Sequence, residues 1–203
     1  MLAAAQLAIL TTLFRHASEE ASEALSHWLE RPARISFEEV EQVPLNEAAE
    51  ALGDPDREIC CCAMGMHGRV TGQLMLAFDD ASGLALADLL LRRPAGTSNA
   101  WGEIELSAAL ETANIIGCAY LNSLAKWFAD RDVEPQEIVP TPPRFVREFA
   151  ESLMEFVLMN QVTEDLAFLT RTEFRVDDAP VNCRLLFVPD APCLAALREA
   201  LPT

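Results

Sequence analysis

The sequence predicts an α/β fold of the α+β kind: a pseudo-two-fold duplicated unit in which one largely antiparallel six-stranded sheet carries two long helices on one face. Three observations predict it. Leu25-Ser26-His27-Trp28-Leu29 aligns with Leu124-Ala125-Lys126-Trp127-Phe128 at an offset of 99 residues, and the helical runs around them superimpose without a gap. Each copy then carries two β-rich runs joined by a tight polar turn, a hairpin pattern that makes the pairing largely antiparallel. Finally, the chain is 51% hydrophobic over 203 residues, and two copies sharing one sheet bury proportionally more surface than two separate halves.

The elements follow in order. A long helix is expected over residues 2–29, a strand-like stretch ending in Val-Pro over 35–44, and a short helix over 46–52. The hairpin 59–66 and 70–78 comes next, and Asp79-Asp80 introduces a closing helix at 81–91. Residues 92–100, rich in Pro, Gly, Ser, Thr and Asn, mark the joint between the copies. The order then repeats: helix 103–129, strand 137–140, short helix within 144–159, hairpin 166–176 and 181–188, and a helix at 193–201 introduced by Pro189-Asp190. One domain spanning 1–203 is expected, built from a first repeat, 2–95, and a second, 101–202.

Charge and composition narrow the function. Fifteen Lys and Arg against 32 Asp and Glu give a formal charge of −17, which repels phosphate backbones and anionic lipid head groups, so nucleic acid and membrane surfaces are not expected partners. The apolar start of the chain has no Lys or Arg before Arg15 and no clean cleavage site, so it is expected to be a helix and not a targeting segment. No uncharged apolar run approaches the ~20 residues needed to span a bilayer, and a soluble, cytoplasmic protein is expected. Six cysteines at 60, 61, 62, 118, 183 and 193, without a C-x-x-C pair, and three histidines make zinc improbable. The cysteines are expected to be reduced core thiols.

The helix at 103–129 stands apart. Over the twenty residues from Leu106 to Ala125, Glu111 is the one charged side chain. At ~100° per residue, Leu106, Ala109, Ala113, Ile116, Gly117, Tyr120, Leu124 and Trp127 form a core stripe. Ser107, Glu111 and Asn114 share another face, within roughly 60° of one another along about 10 Å of axis. The offset of 99 sets Ala8, Thr12 and Arg15 at the matching positions of the first repeat. Expected core positions, Leu25 with Leu124 and Trp28 with Trp127, are instead matched by identity. By residue type alone, a Glu and an Asn so placed fit a solvated helix surface as well as a site; Asn costs up to ~0.7 kcal/mol against Ala there, which a fold tolerates.

The run Ser107-x-x-x-Glu111-x-x-Asn114-Ile-Ile-Gly, followed by Ala119-Tyr120-Leu121-Asn122-Ser123-Leu124, resembles the signature helix of the CheC-type phosphatases (CheC, CheX, FliY) of chemotaxis, whose motif is Asp or Ser, three residues, Glu, two residues, Asn. The resemblance extends to Val139-Pro140-Thr141-Pro142-Pro143 and to the duplicated layout. The family's motif continues to a proline a little over twenty residues after the Asn; here 25 residues intervene before Pro140. The resemblance implies hydrolysis of the aspartyl phosphate on a CheY-type response-regulator receiver domain. It gives Asn114 the part of orienting the attacking water and Glu111 that of binding the receiver's phosphate-site lysine, both as catalytic residues. Ser107 is then a binding contact at the edge, with no histidine near it in sequence to activate it as a nucleophile. The chain needs no cofactor of its own, and Mg2+ belongs to the receiver. A CheD-like protein is a further partner the resemblance admits. The rival expectation is a non-catalytic module that docks a receiver, a CheD-like deamidase or a flagellar switch protein; the switch component is the less favoured of these, because the two repeats take up residues 2–201. A free-standing small-molecule hydrolase finds no Gly-rich phosphate loop, nucleophile elbow or metal-ligand spacing.

Overall fold

The structure is a computed structural model that describes residues 1–52, 57–68, 70–130, 137–153, 166–176 and 179–201. Helix α1 (Ala4–Leu29) is followed by strands β1 (Ala33–Phe37) and β2 (Glu41–Pro44), helix α2 (Leu45–Leu52), strands β3 (Glu58–Gly68) and β4 (Gly72–Phe78), and helix α3 (Asp80–Leu90). The second half runs α4 (Glu103–Ala129), β5 (Ile138–Pro140), β6 (Arg144–Phe149), β7 (Leu166–Val176), β8 (Ala179–Pro189) and α5 (Ala191–Ala200), with residues 150–153 helical after β6.

These strands form one antiparallel sheet in the order β1-β7-β8-β4-β3-β5, with β2 also on β7 and β6 also on β3. The six expected sheet positions are present, and each outer one is filled by two short strands lying end to end. The stretch expected at 35–44 breaks because the Val40 N–H donates to Thr11 Oγ1 at 3.2 Å instead of to β7. On the opposite edge, Pro142 and Pro143 have no N–H to donate and end the pairing after β5. The short helix expected within 144–159 is corrected: Arg144–Phe149 is a strand on β3, helix begins at residue 150, and 154–159 lie outside the described residues. The two prolines bias the chain entering this stretch toward extended backbone, and Phe145, Val146 and Phe149 suit a strand.

Exchange of edges ties the halves together. β1 and β2 of the first half pair with β7 of the second, and β5 and β6 of the second pair with β3 of the first. In the middle, β4 lies against β8, with Met75 opposite Leu186. Those two residues are 111 positions apart, as are Asp79 and Asp190, whose carboxylates cap α3 and α5 by accepting from Ser82 N–H (2.7 Å) and Cys193 N–H (2.9 Å). The pseudo-two-fold axis therefore passes between Met75 and Leu186. Extra residues in the second half lengthen the offset from 99 at the helices to 111 here.

Alternation along the strands divides the core in two. Cys60, Cys62, Met64 and Met66 of β3, with Leu185 and Phe187 of β8, face α1, α3, α4 and α5. Ile59, Cys61, Met75 and Leu186 face α2 and residues 150–153. As expected, the two long helices lie together on one face. Phe14 meets Tyr120 edge-on with ring centroids 5.1 Å apart, a geometry adding about 0.5–1.5 kcal/mol beyond burial, and Tyr120 Oη and Ser18 Oγ share a hydrogen bond of 2.5 Å. Glu20 on α1 accepts from Lys126 Nζ (2.6 Å) and Ser123 Oγ (2.9 Å) on α4, and the Lys126 bond leads the causes holding its carboxyl below its ordinary range. Gly117 lets α4 approach the sheet, since a methyl there would stand 2.8 Å from Met64 Sδ.

The matched tryptophans do not share an environment. Trp127 is 9% exposed but Trp28 is 41% exposed, because α4 buries thirteen of its 27 residues and α1 nine of its 26; Trp28 falls outside the narrower stripe. All six cysteines are free, and five are buried. Among the described residues no helix is long and apolar enough to cross a membrane.

Candidate functional site

Ser107, Glu111 and Asn114 are brought together along the rim of a groove of about 750 Å3 between α4 and the strap Pro140-Thr141-Pro142-Pro143 that joins β5 to β6. Ser107 and Glu111 are exposed and Asn114 is half-buried. Neither the Ser107 nor the Glu111 side chain forms a hydrogen bond or ion pair with another described residue. Asn114 Oδ1 accepts a weak hydrogen bond from Cys118 Sγ at 3.8 Å, which leaves most of the carboxamide's capacity facing the groove. Burial, and next the Glu111 charge, push the Cys118 thiol up, so it stays protonated and a donor near neutral pH. Leu106, expected in the core stripe, is instead half-buried and lines the groove with Leu110.

Three anchors hold the groove's walls. Gly65 N–H donates to Thr141 Oγ1 and Thr141 N–H donates to the Gly65 carbonyl, both at 2.9 Å. A Cβ on Gly65 would stand 3.2 Å from Thr141 Oγ1, so glycine lets the strap lean on β3. Trp101, just before α4, stacks obliquely on Phe145 at 4.8 Å and donates from Nε1 to Asp80 Oδ1 at 2.8 Å.

The third anchor is the joint between the repeats. Asp88, with 0% of its surface exposed, accepts from Thr97 N–H (2.7 Å), Ser98 N–H (3.0 Å) and Ser98 Oγ (2.6 Å). Burial presses its pKa upward, but the hydrogen bonds from Ser98 and Thr97 outweigh that and hold the carboxyl below its ordinary range. Arg93 then pairs with Glu105 on the first turn of α4 at 2.7 Å. Gly102 offers no side-chain cap to α4, and Glu103 and Glu105 in its first turn complement the helix dipole instead.

The first repeat lacks this groove's chemistry. Ala8 and Thr12 present a methyl and a hydroxyl, the latter donating to Ala8 O at 3.0 Å, and Arg15 is exposed. Thr11, 99 positions before Leu110, pins its own strap to the helix through Val40. Sequence reasoning missed Ile104, Leu110 and Cys118. The signal was available for Ile104 and Cys118, which lie on the helical stripe of Ser107, Glu111 and Asn114; nothing local marked Leu110 as a groove residue. Among the described residues, no group of three or more His, Cys, Asp or Glu could hold a metal ion.

Comparison with known proteins identifies the class of fold. No protein-family profile matches the sequence. Among solved structures, FliY of Thermotoga maritima superposes with a TM-score of 0.79 at 15% identity, covering 99% of this chain and 98% of that one. The FliM middle domain from H. pylori gives 0.66 at 14% identity, over 98% of this chain and 99% of that one. CheX of Borrelia burgdorferi, solved in a CheX–CheY–BeF3–Mg complex, gives 0.50 at 17% identity, over 86% of this chain and 93% of that one. The chain thus has a fold of the CheC/CheX/FliY type.

Proposed function

We propose that this chain is a phosphatase hydrolysing the aspartyl phosphate of a CheY-type receiver domain in chemotaxis or another two-component system. The observation that carries the reading is that Glu111 and Asn114 stand one turn apart on the open rim of a groove, with neither side chain consumed by the fold. Asn114 accepts a hydrogen bond from a water through its carboxamide oxygen and holds that water in line with the phosphorus. The water oxygen bonds to phosphorus, the bond to the aspartyl oxygen breaks, and the receiver's carboxylate and inorganic phosphate are released. Positioning supplies most of the acceleration in such a transfer. Glu111 pairs with the receiver's lysine and anchors α4 over the phosphoaspartate. Ser107 makes an edge contact. Mg2+ is carried by the receiver, where it neutralises the charge developing on the phosphoryl oxygens.

A second reading has its own support, because FliY and the FliM middle domain superpose more closely than CheX, and a FliG–FliM complex is among the similar structures at a TM-score of 0.67. In it the same helix docks a receiver, a CheD-like deamidase or a flagellar switch protein without hydrolysis. The decay of phosphorylated receiver domains, with and without the protein in excess, separates the two. Acceleration supports the phosphatase; binding without acceleration by every receiver that binds overturns it.

A further inference from the structure

We infer that the groove beside α4 is an apolar seat for a side chain of the partner, so that the surface this protein recognises carries a lysine or arginine next to an exposed aliphatic or aromatic residue. The inference rests on the proposed docking of a receiver and specifies what that receiver must present. The groove's wall and floor are apolar, from Leu106, Leu110 and the strap's prolines, whereas its helix rim carries the carboxylates of Glu103 and Glu111, and no basic side chain lines it. Ile104, 56% exposed, is one of five large hydrophobic residues left open to solvent among the described residues. Ile104 lies one turn before Ser107 on the same face of α4. An apolar cleft edged by one sign of charge selects a ligand that is apolar at one end and cationic at the other.

The first repeat shows that the opening is a built feature. There the strap is held to its helix by the Val40 N–H to Thr11 Oγ1 bond and to β7 by Thr170 Oγ1 donating to the Glu38 carbonyl at 3.3 Å; in the second, Thr141 keeps the sheet anchor through Gly65 of β3, and Leu110 stands where the helix acceptor was. Replacing the helix acceptor by a leucine leaves an apolar slot where the first repeat has a hydrogen bond.

Two measurements test this. The first uses beryllofluoride-loaded receiver domains, comparing Ile104→Ser/Leu106→Ser, which alters the groove's wall and its neighbour on α4, with Trp28→Ser/Phe149→Ser, which removes exposed apolar residues away from the groove. The groove pair should lower affinity at least tenfold and the control pair should not; equal effects overturn the inference while leaving the phosphatase reading intact. The second needs no receiver. In NMR titrations of the unmodified protein, hexylammonium should shift the amide signals of Leu110, Glu111 and Thr141, and hexanoate should not. That result supports the seat even if no receiver is dephosphorylated. Equal shifts with both probes, or with neither, overturn it.

Discussion

Thr141 and Gly65 exchange two hydrogen bonds of 2.9 Å, which join the pairings of β5 and β6 on either side in holding the strap against β3. Thr141→Val keeps the shape but removes the acceptor for the Gly65 N–H. The donor is only partly buried, so leaving it unpaired should cost at or below the low end of the ~1–3 kcal/mol for a buried group; the variant should melt lower by thermal denaturation and should bind a receiver more weakly than its residual stability explains.

Asn114→Ala should abolish most acceleration of receiver dephosphorylation, by ~100-fold if the amide positions the water, while affinity for a beryllofluoride-loaded receiver stays nearly intact. Glu111→Ala should weaken both, since truncating one partner of a desolvated charge pair costs ~2 to 5 kcal/mol. Single-turnover decay with titrated protein resolves the two effects. An unchanged rate with Asn114→Ala makes the docking module the preferred reading.

Glu111 and Cys118 can be tested against each other without any partner. Burial and the Glu111 charge raise the Cys118 pKa. Glu111→Gln should therefore lower it, enlarge the thiolate fraction and speed alkylation of Cys118 by iodoacetamide at pH 8 by up to about threefold. Cys60, Cys61 and Cys62 are at most 1% exposed and should remain unlabelled in the native state.

Asp88 should be worth most above the acid range. Asp88→Asn keeps an acceptor but turns an amide N–H2 toward donors, and should cost ~2–4 kcal/mol at pH 7. The native carboxyl is held below its unfolded value, so its contribution is fully present above pH ~4 and is lost as pH falls through the folded pKa. Melting curves of the two proteins should converge between pH 4 and the acid limit of folding. A constant difference across that range would falsify the assignment.

Thr12→Glu with Arg15→Asn should not create a second working site, because Thr11 still fastens the first strap to α1. Adding Thr11→Leu releases that strap from α1 while Thr170 still holds it to β7. Receiver-binding stoichiometry by calorimetry should stay at that of the unmodified protein with the double change and rise with the triple.

Periodicity made the long helices and the hairpins legible, and α4 and β7 have the boundaries their patterns suggest, because burial on one stripe or in alternation leaves a regular trace. The edges were less legible. Whether residues 35–44 form one strand or two depends on where the Val40 N–H goes, and its acceptor is on Thr11, 29 positions away. Arg144–Phe149 is extended because β3 offers it a pairing edge, a demand made by the other half of the chain. At the site, helical spacing placed Ser107, Glu111 and Asn114 on one face, but the groove they rim belongs equally to Gly65, which no spacing rule connects to them.

The traded edges give the first half a task that needs no polar patch. β7 has no outer neighbour unless the first half supplies β1 and β2, and β3 has none unless the second supplies β5 and β6. The first half thus serves as scaffold to the second even where it contributes nothing to the groove, and its helix face is free to drift while its strands are not. The same dependence means that a nick in the joint at 92–100 should leave two fragments that complement each other in solution, whereas either fragment alone would have to recruit a second copy of itself to close its sheet.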